Sequence, residues 1–303
     1  MYDTIIIGSG PTGMTSGIYA ARREMKALII GKEVGGQLVW AHEVENYPGF
    51  KKINAFDLIQ SFKDQVLSFG VEMKDAEVKK IEKTEKNTFL VYFGSEVVEG
   101  RTIIIAMGLS PRRLAIQGEE ELVGKGVSYC ANCDGPFFKG KKVAVVGSGN
   151  SAFDAAEVLS KIASEVYLLV RSENSIKAFD ALVKEVNSRE NITVLLNSEI
   201  KEIIGESKVS KIICANIKEN KSFEIELDGI FVEIGRIAHT DLVAEFVERT
   251  ENGQIITNAR CETKTPGMFA AGDVSSLSEF KQISIANGQA TIAALSAYQY
   301  LQS

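Results

Sequence analysis

The strongest constraint on the fold is a pair of glycine-rich turns, each placed directly after a buried strand. The first is Gly8-Ser9-Gly10-Pro11-Thr12-Gly13. The β-branched run Thr4-Ile5-Ile6-Ile7 precedes it, and a helix over 14–23 and a strand over 26–30 follow. The second is Gly147-Ser148-Gly149-Asn150-Ser151-Ala152, between a strand over 143–146 and a helix over 153–162, with a second strand over 165–170. In such a turn the first glycine makes the bend and the second lets backbone approach a pyrophosphate. The third, for which alanine can substitute, packs helix on strand. The phosphates then meet the positive end of the helix dipole. Two turns of this kind predict an α/β chain with two Rossmann-like, three-layer (ββα) nucleotide-binding domains, and 303 residues are enough to build both.

The rest of the pattern fits around these two units. Residues 54–69 read as an amphipathic helix with Phe56, Ile59, Phe62, Val66 and Phe69 expected toward the core. Residues 71–83 and 87–98 alternate like antiparallel strands with a turn at Thr84-Glu85-Lys86, and 101–106 form a buried strand ending at Met107-Gly108. Further on come a helix over 181–187, a strand over 193–196, a hairpin over 208–217 and 222–227, and a strand over 229–235. A helix over 285–301 closes the chain. In the first unit the acid that would meet a ribose is displaced: Gly31 ends the second strand and Glu33 is the candidate. A net charge of −6 argues against nucleic acid as a partner. No apolar run approaches the roughly 20 residues of a membrane span. The N-terminus enters a strand without a basic leader, so the expected location is the cytoplasm.

Four cysteines are present, and Cys130 and Cys133 form a CxxC pair followed by Asp134. Zinc would need two further ligands. Cys214 and Cys261 stand alone in separate segments, so no metal is expected and both read as small core residues. A dithiol shortly ahead of a nucleotide turn points to electron transfer between a nucleotide and a disulfide. A flavin accounts for the second nucleotide domain, because it can take a hydride from nicotinamide and hand two electrons to a disulfide. The attacking cysteine must be a thiolate. Asp134 can move a proton at the leaving thiol, or it can be a turn-capping acid. His42 and His239 lie in loops without the partners of a triad. Trp40, the only tryptophan, falls near the Gly35-Gly36-Gln37-Leu38 loop.

Nearly the whole chain resembles the low-molecular-weight thioredoxin reductases. The resemblance rests on Gly8 to Gly13, Gly35-Gly36-Gln37-Leu38, Glu45-Asn46-Tyr47-Pro48-Gly49 and Cys130-Ala-Asn-Cys133-Asp134-Gly135. It extends to Gly147 to Ala152, Phe269-Ala-Ala-Gly272-Asp273 and Lys281-Gln282-Ile283. The stretches 126–146 and 229–235, with Cys261-Glu-Thr, are also similar to the flavoprotein component of alkyl hydroperoxide reductase. That relative carries an N-terminal thioredoxin-like module. This chain begins at the first glycine turn, which favours a separate carrier protein.

The resemblance implies a discontinuous FAD domain over 1–112 and 243–303 and an NAD(P)H domain over 113–242 that carries the dithiol. It places Gly8, Gly10, Pro11, Gly13, Gly36, Gln37, Asn46, Gly108, Gly272, Asp273, Lys281, Gln282 and Ile283 at FAD. It places Gly147, Gly149, Asn150, Ser151, Arg171, Glu173 and Lys177 at NAD(P)H. It makes Cys130 the attacking thiol and Cys133 the one facing the flavin, with thioredoxin or a glutaredoxin-like carrier as partner. A homodimer and a rotation of one domain against the other are also implied.

One departure bears on the donor. Relatives that use NADPH usually carry His-Arg-Arg after the second strand of the nucleotide unit, with another arginine shortly after. Here the chain reads Val170-Arg171-Ser172-Glu173-Asn174-Ser175-Ile176-Lys177. Glu173 would repel a 2′-phosphate and could accept from a free 2′-OH, so NADH is expected over NADPH, with Lys177 a partial rescue. Two alternatives stand beside this expectation: a ferredoxin-linked reductase, disfavoured by the intact turn at 147–152, and a reductase component of a peroxiredoxin system.

Overall fold

A computed structural model describes every residue except His42 and the side chain of Trp40; the expectations for His42 and for the Trp40 indole lie outside the described residues. The chain runs β1 (Tyr2–Ile7), α1 (Pro11–Ala21), β2 (Ala27–Gly31), α2 (Ala55–Ser68), β3 (Glu72–Asp75), β4 (Val78–Lys83), β5 (Phe89–Phe93) and β6 (Glu96–Ile105). It continues through β7 (Val127–Ser128), α3 (Ala131–Asp134), β8 (Lys142–Val146), α4 (Asn150–Ser160), β9 (Glu165–Val170), α5 (Asp180–Ser188) and β10 (Ile192–Leu196). Next come β11 (Ser198–Gly205), β12 (Val209–Asn216), β13 (Lys221–Glu226), β14 (Gly229–Val232), β15 (Met268–Ala270) and α6 (Ile283–Gln302). Two compact units result: Met1–Ser110 with Ile237–Ser303, and Pro111–Arg236.

In the first unit the sheet order is β3-β2-β1-β6-β5-β4, with β15 also paired to β6. Strands β1, β2, β3 and β15 run parallel to their neighbours, whereas β4, β5 and the start of β6 are antiparallel. The long strand β6 therefore belongs to both layers. Its first half carries the antiparallel sheet and its second half, Thr102 to Ile105, sits beside β1. The central strands are apolar on both faces. Leu28, Ile29 and Ile30 are all fully buried, each contributing roughly 1.5–3 kcal/mol. Helix α6 lies on α1 through small residues, with Ala290, Ala293, Ala294 and Ala297 buried and Ser16 Oγ donating to the Ala290 carbonyl. That packing joins the last part of the chain to the first.

Two sequence expectations are corrected here. Residues 72–75 form a separate strand, β3, parallel to β2, and only 78–83 joins the antiparallel layer. On α2 the buried stripe is Ala55, Leu58, Ile59, Phe62 and Val66, while Phe56 and Phe69 are 69% and 40% exposed. Phe56 instead lines a cavity of about 400 Å³ with Val34, Leu38, Val39, Ile59 and Lys63.

The second unit has a parallel sheet of order β7-β14-β8-β9-β10 and an antiparallel sheet β11-β12-β13. Here β11 was not expected from the sequence and adds a third strand to the predicted hairpin. Among the described residues no helix is long and apolar enough to cross a membrane.

Candidate functional site

In the first unit the glycine turn is dictated by backbone crowding. Gly8 has φ +116°, and a Cβ there would stand 2.2 Å from the Ala106 carbonyl oxygen. A Cβ on Gly13 would stand 1.8 Å from the Gly8 carbonyl oxygen. Pro11 opens α1, where its missing N–H costs nothing, and no side chain caps the helix at Gly10. Gly10 faces Gly36, which has φ +55°. Beside them Gln37 Nε2 donates to Asp273 Oδ2 at 3.0 Å, and Gly108 lies against the same amide. Gly272, at φ +76°, packs on Thr12 and donates its N–H to Gln289 Oε1 at 2.8 Å. Ser275 Oγ donates to that same oxygen, and the Ser275 carbonyl accepts from Lys281 Nζ at 3.1 Å. Asn46 Nδ2 donates to Gln282 Oε1 at 3.0 Å, directly ahead of Ile283, the first residue of α6. Ser9 Oγ donates to the Glu33 carbonyl at 2.9 Å, which brings Glu33 to the rim of the turn. An uncapped helix start walled by Gly8, Gly10, Gly13 and Gly36 fits a pyrophosphate. The Gln37–Asp273 pair adds polar groups to the same place.

The second unit repeats the device. Gly147 has φ +151°, and a Cβ there would stand 2.3 Å from the Glu233 carbonyl oxygen. Gly149 starts α4 uncapped, and a Cβ on it would meet nothing within 4 Å, so a phosphate has room. The stretch after β9 folds back onto this turn: Lys177 N–H donates to the Ser148 carbonyl at 2.8 Å, and Phe179 N–H donates to Asn150 Oδ1 at 2.9 Å. Ser151, Arg171, Glu173 and Lys177 are exposed around it. The Arg171 guanidinium lies 3.6 Å from the Glu199 carboxylate.

Cys130 and Cys133 form a disulfide with Cα atoms 5.3 Å apart, half-buried at the start of α3. Asp134 is held by Ser128, whose hydroxyl donates to Asp134 Oδ2 at 2.6 Å and accepts from the Cys130 N–H at 3.1 Å. Sequence reading missed Ser128. It also missed Glu119, which is 2% exposed. The Glu119 carboxylate accepts from the N–H groups of Leu114 and Ala115 at 2.9 and 2.7 Å and from the Tyr129 hydroxyl at 3.0 Å. Burial, reinforced by this carboxylate, pushes the Tyr129 phenol upward, so it stays a donor. Glu119→Ala leaves those donors buried without an acceptor and is expected to cost about 3 kcal/mol, read as a lower urea midpoint by circular dichroism.

Arg236 also lies at the dithiol. Its Nη2 donates to the Tyr129 carbonyl at 3.1 Å, directly ahead of Cys130. Burial pushes the Glu233 carboxyl up to about 7, with Arg236 and the Ala131 N–H pulling the other way. Cys214 and Cys261 are fully buried, and burial raises their thiols to about 12 and about 11.

Two nucleotide turns and a dithiol define an oxidoreductase that exchanges electrons between nucleotide cofactors and a disulfide. The chain belongs to the pyridine nucleotide-disulphide oxidoreductase family, which matches residues 2–290. FAD and NAD(P)H are the cofactors that membership implies. The chain is 37% identical to thioredoxin reductase of Bacillus subtilis over 304 residues, covering 100% of this chain and 95% of the relative. It is 37% identical to an alkyl hydroperoxide reductase component of Escherichia coli over 307 residues, covering 99% of this chain and 58% of that relative. It likewise spans 57% of an NADH dehydrogenase of Ferdinandcohnia aciditolerans, at 36% identity over 99% of this chain. The crystal structure of thioredoxin reductase from Streptococcus pyogenes superposes with a TM-score of 0.93 at 36% identity, covering 100% of this chain and 98% of that one.

Proposed function

We propose that the chain is an FAD-dependent thioredoxin-disulfide reductase. It draws electrons from NAD(P)H, NADH in preference, and passes them through Cys130 and Cys133 to thioredoxin or a similar carrier. The observation that carries this is the Cys130–Cys133 disulfide at the head of α3, with an aspartate fixed beside it, in the unit that also holds a nucleotide turn. FAD would be held by Gly8, Gly10, Gly13, Gly36, Gln37, Asn46, Gly272 and Asp273, with Lys281, Gln282 and Ile283 nearby. When bound it supplies the two-electron step between nicotinamide and the disulfide.

Once the pair is reduced, the chemistry is thiol exchange. The Cys130 thiolate attacks one sulfur of the carrier disulfide, a Cys130–carrier bond forms, and the second carrier sulfur leaves as a thiolate that takes a proton. The Cys133 thiolate then attacks Cys130 Sγ, which reforms the internal disulfide and releases the other carrier sulfur. Asp134, oriented by Ser128, is placed to move the protons these steps require.

The donor preference rests on Glu173 and on Ser172 where NADPH-using relatives carry arginine. A charge-assisted contact to the 2′-phosphate is worth roughly 1.5–3 kcal/mol. The expected result is therefore a kcat/KM at least about tenfold higher for NADH. Lys177, whose backbone is tied to the turn at Ser148, would keep some NADPH use. Anaerobic flavin reduction with each nucleotide, followed by a thioredoxin assay, tests both parts. A higher kcat/KM for NADPH overturns the preference, and no bleaching with either nucleotide turns the reading toward a ferredoxin-linked reductase. A homodimer in the cytoplasm completes the proposal and follows from the likeness to the reductases alone.

A further inference from the structure

Arg171 is the sole arginine between 171 and 177, the stretch that follows β9. It is already engaged. The Arg171 Nε lies 3.6 Å from Glu199 Oε2, and Lys201 Nζ pairs with the other oxygen of the same carboxylate. The fold makes this meeting local. Val170, the last residue of β9, stands beside Leu196, the last of β10. Asn197 then turns in the left-handed region at φ +53° and β11 begins, so Glu199 comes back beside the end of β9. In a unit of this kind nucleotides bind at the carboxyl ends of the parallel strands, and the groups after the second strand meet the ribose 2′ position. We propose that Glu199 determines donor specificity: it occupies Arg171 and so withholds from the 2′-phosphate of NADPH the one arginine of this stretch that could grip it. This rests on the second glycine turn being a nucleotide site.

Ion pairing at Arg171 does not disfavour NADH, because a free 2′-OH needs no cation. Against a phosphate it acts twice. The guanidinium must give up Glu199 before it can take the phosphate as a bidentate partner. If it keeps Glu199, a carboxylate stays next to the incoming negative charge. The Glu199 side chain is 27% exposed and so is held against the protein, whereas Arg171, 80% exposed, is open to a ligand. An exposed pair is weak and screened by salt, so the effect is modest and depends on ionic strength. Glu173 opposes the phosphate by charge alone, whereas Glu199 opposes it by taking the cation. The two are separable because only the second needs Arg171.

The test uses the full chain as purified with its flavin. Two probes without nicotinamide, ADP-ribose and 2′-phospho-ADP-ribose, are titrated by isothermal titration calorimetry. The readout is the ratio of their dissociation constants, in which any general change at the site cancels. Glu199→Gln is expected to move the ratio about three- to fivefold toward the phosphorylated probe at low salt. That gain is expected to fall below about twofold at roughly 0.3 M sodium chloride. In an Arg171→Gln background the same substitution is expected to give little or no gain. An unchanged ratio in Glu199→Gln overturns the proposal. So does a full gain that survives Arg171→Gln, which would make Glu199 a general negative charge rather than the partner of Arg171. A gain indifferent to salt overturns it as well. Glu199→Ser serves on the same criteria should Glu199→Gln fail to fold. If ADP-ribose does not bind the unaltered protein, the nucleotide-site reading falls together with this inference. If it binds and the ratio stays put, only this inference falls.

Discussion

Cys133→Ser is expected to lower reduction of a thioredoxin disulfide by at least about a thousandfold while the purified protein keeps its flavin absorbance. The second exchange step needs a thiolate within reach of Cys130 Sγ. The backbone supplies that reach, with the two Cα atoms 5.3 Å apart. A serine hydroxyl at the same place stays protonated at neutral pH and cannot displace the carrier. The substitution costs little stability, because the bridge closes a loop of a few residues and removes little chain entropy. The proposed flavin-binding groups all lie in the other unit, so flavin content reports folding independently of exchange. The same variant assigns the roles. With Cys133 replaced, Cys130 is expected to hold the carrier as a mixed disulfide visible on a non-reducing gel. Cys130→Ser is expected to be equally inactive and to trap nothing. Cys214→Ser and Cys261→Ser are expected to retain exchange, since both thiols are buried and held protonated. Carrier reduction surviving in Cys133→Ser would end the dithiol mechanism.

What could be read from sequence was whatever leaves a local pattern. The two strand–turn–helix units follow from β-branched runs meeting glycines at fixed spacing, and the backbone contacts at Gly8, Gly13 and Gly147 explain why glycine is needed there. Residues 72–75 misled because pairing partners are not local: Glu72 to Asp75 alternates in sequence yet lies parallel to β2. Phe56 misled because helical spacing alone does not say where a stripe ends. The core needs Ile59, Phe62 and Val66, and Phe56 falls beside a cavity. The supports of the dithiol were silent for a different reason. Glu119 stands in a run of three glutamates that reads as a solvated face, and nothing marks the first as the one turned inward. Ser128 and Arg236 act through the backbone at Cys130 and Tyr129, which any sequence supplies, so no side-chain motif records them. Gln289 was hidden in a helix of small residues, and it shows only once α6 is laid on α1 and its amide meets Gly272 and Ser275.

Gly13→Ala carries the other large expected effect. Gly13 has an ordinary helical backbone, so alanine is conformationally welcome there and would by propensity favour the helix by up to about 1 kcal/mol. The obstacle is contact alone. The added Cβ would lie 1.8 Å from the Gly8 carbonyl oxygen, a backbone atom that cannot rotate away. To relieve it, α1 must lift from the turn, which moves Gly8 off Ala106 and Thr12 off Gly272 and opens the proposed pyrophosphate cradle. The expected outcome is a loss of about 3 kcal/mol, the upper end of what overpacking a filled core costs, because the crowded atom is backbone. The protein should purify without flavin. Gly70→Ala is the matched control. Gly70 has φ +73° but a Cβ there would meet nothing within 4 Å, so only the left-handed backbone is penalised, at about 1–2 kcal/mol. Flavin content per chain and Tm, measured side by side, separate the two causes. If strain rather than contact governed the turn, Gly70→Ala would be the more damaging change. If Gly13→Ala retained both flavin and Tm, the first glycine unit would not be the tight seat on which FAD binding is argued.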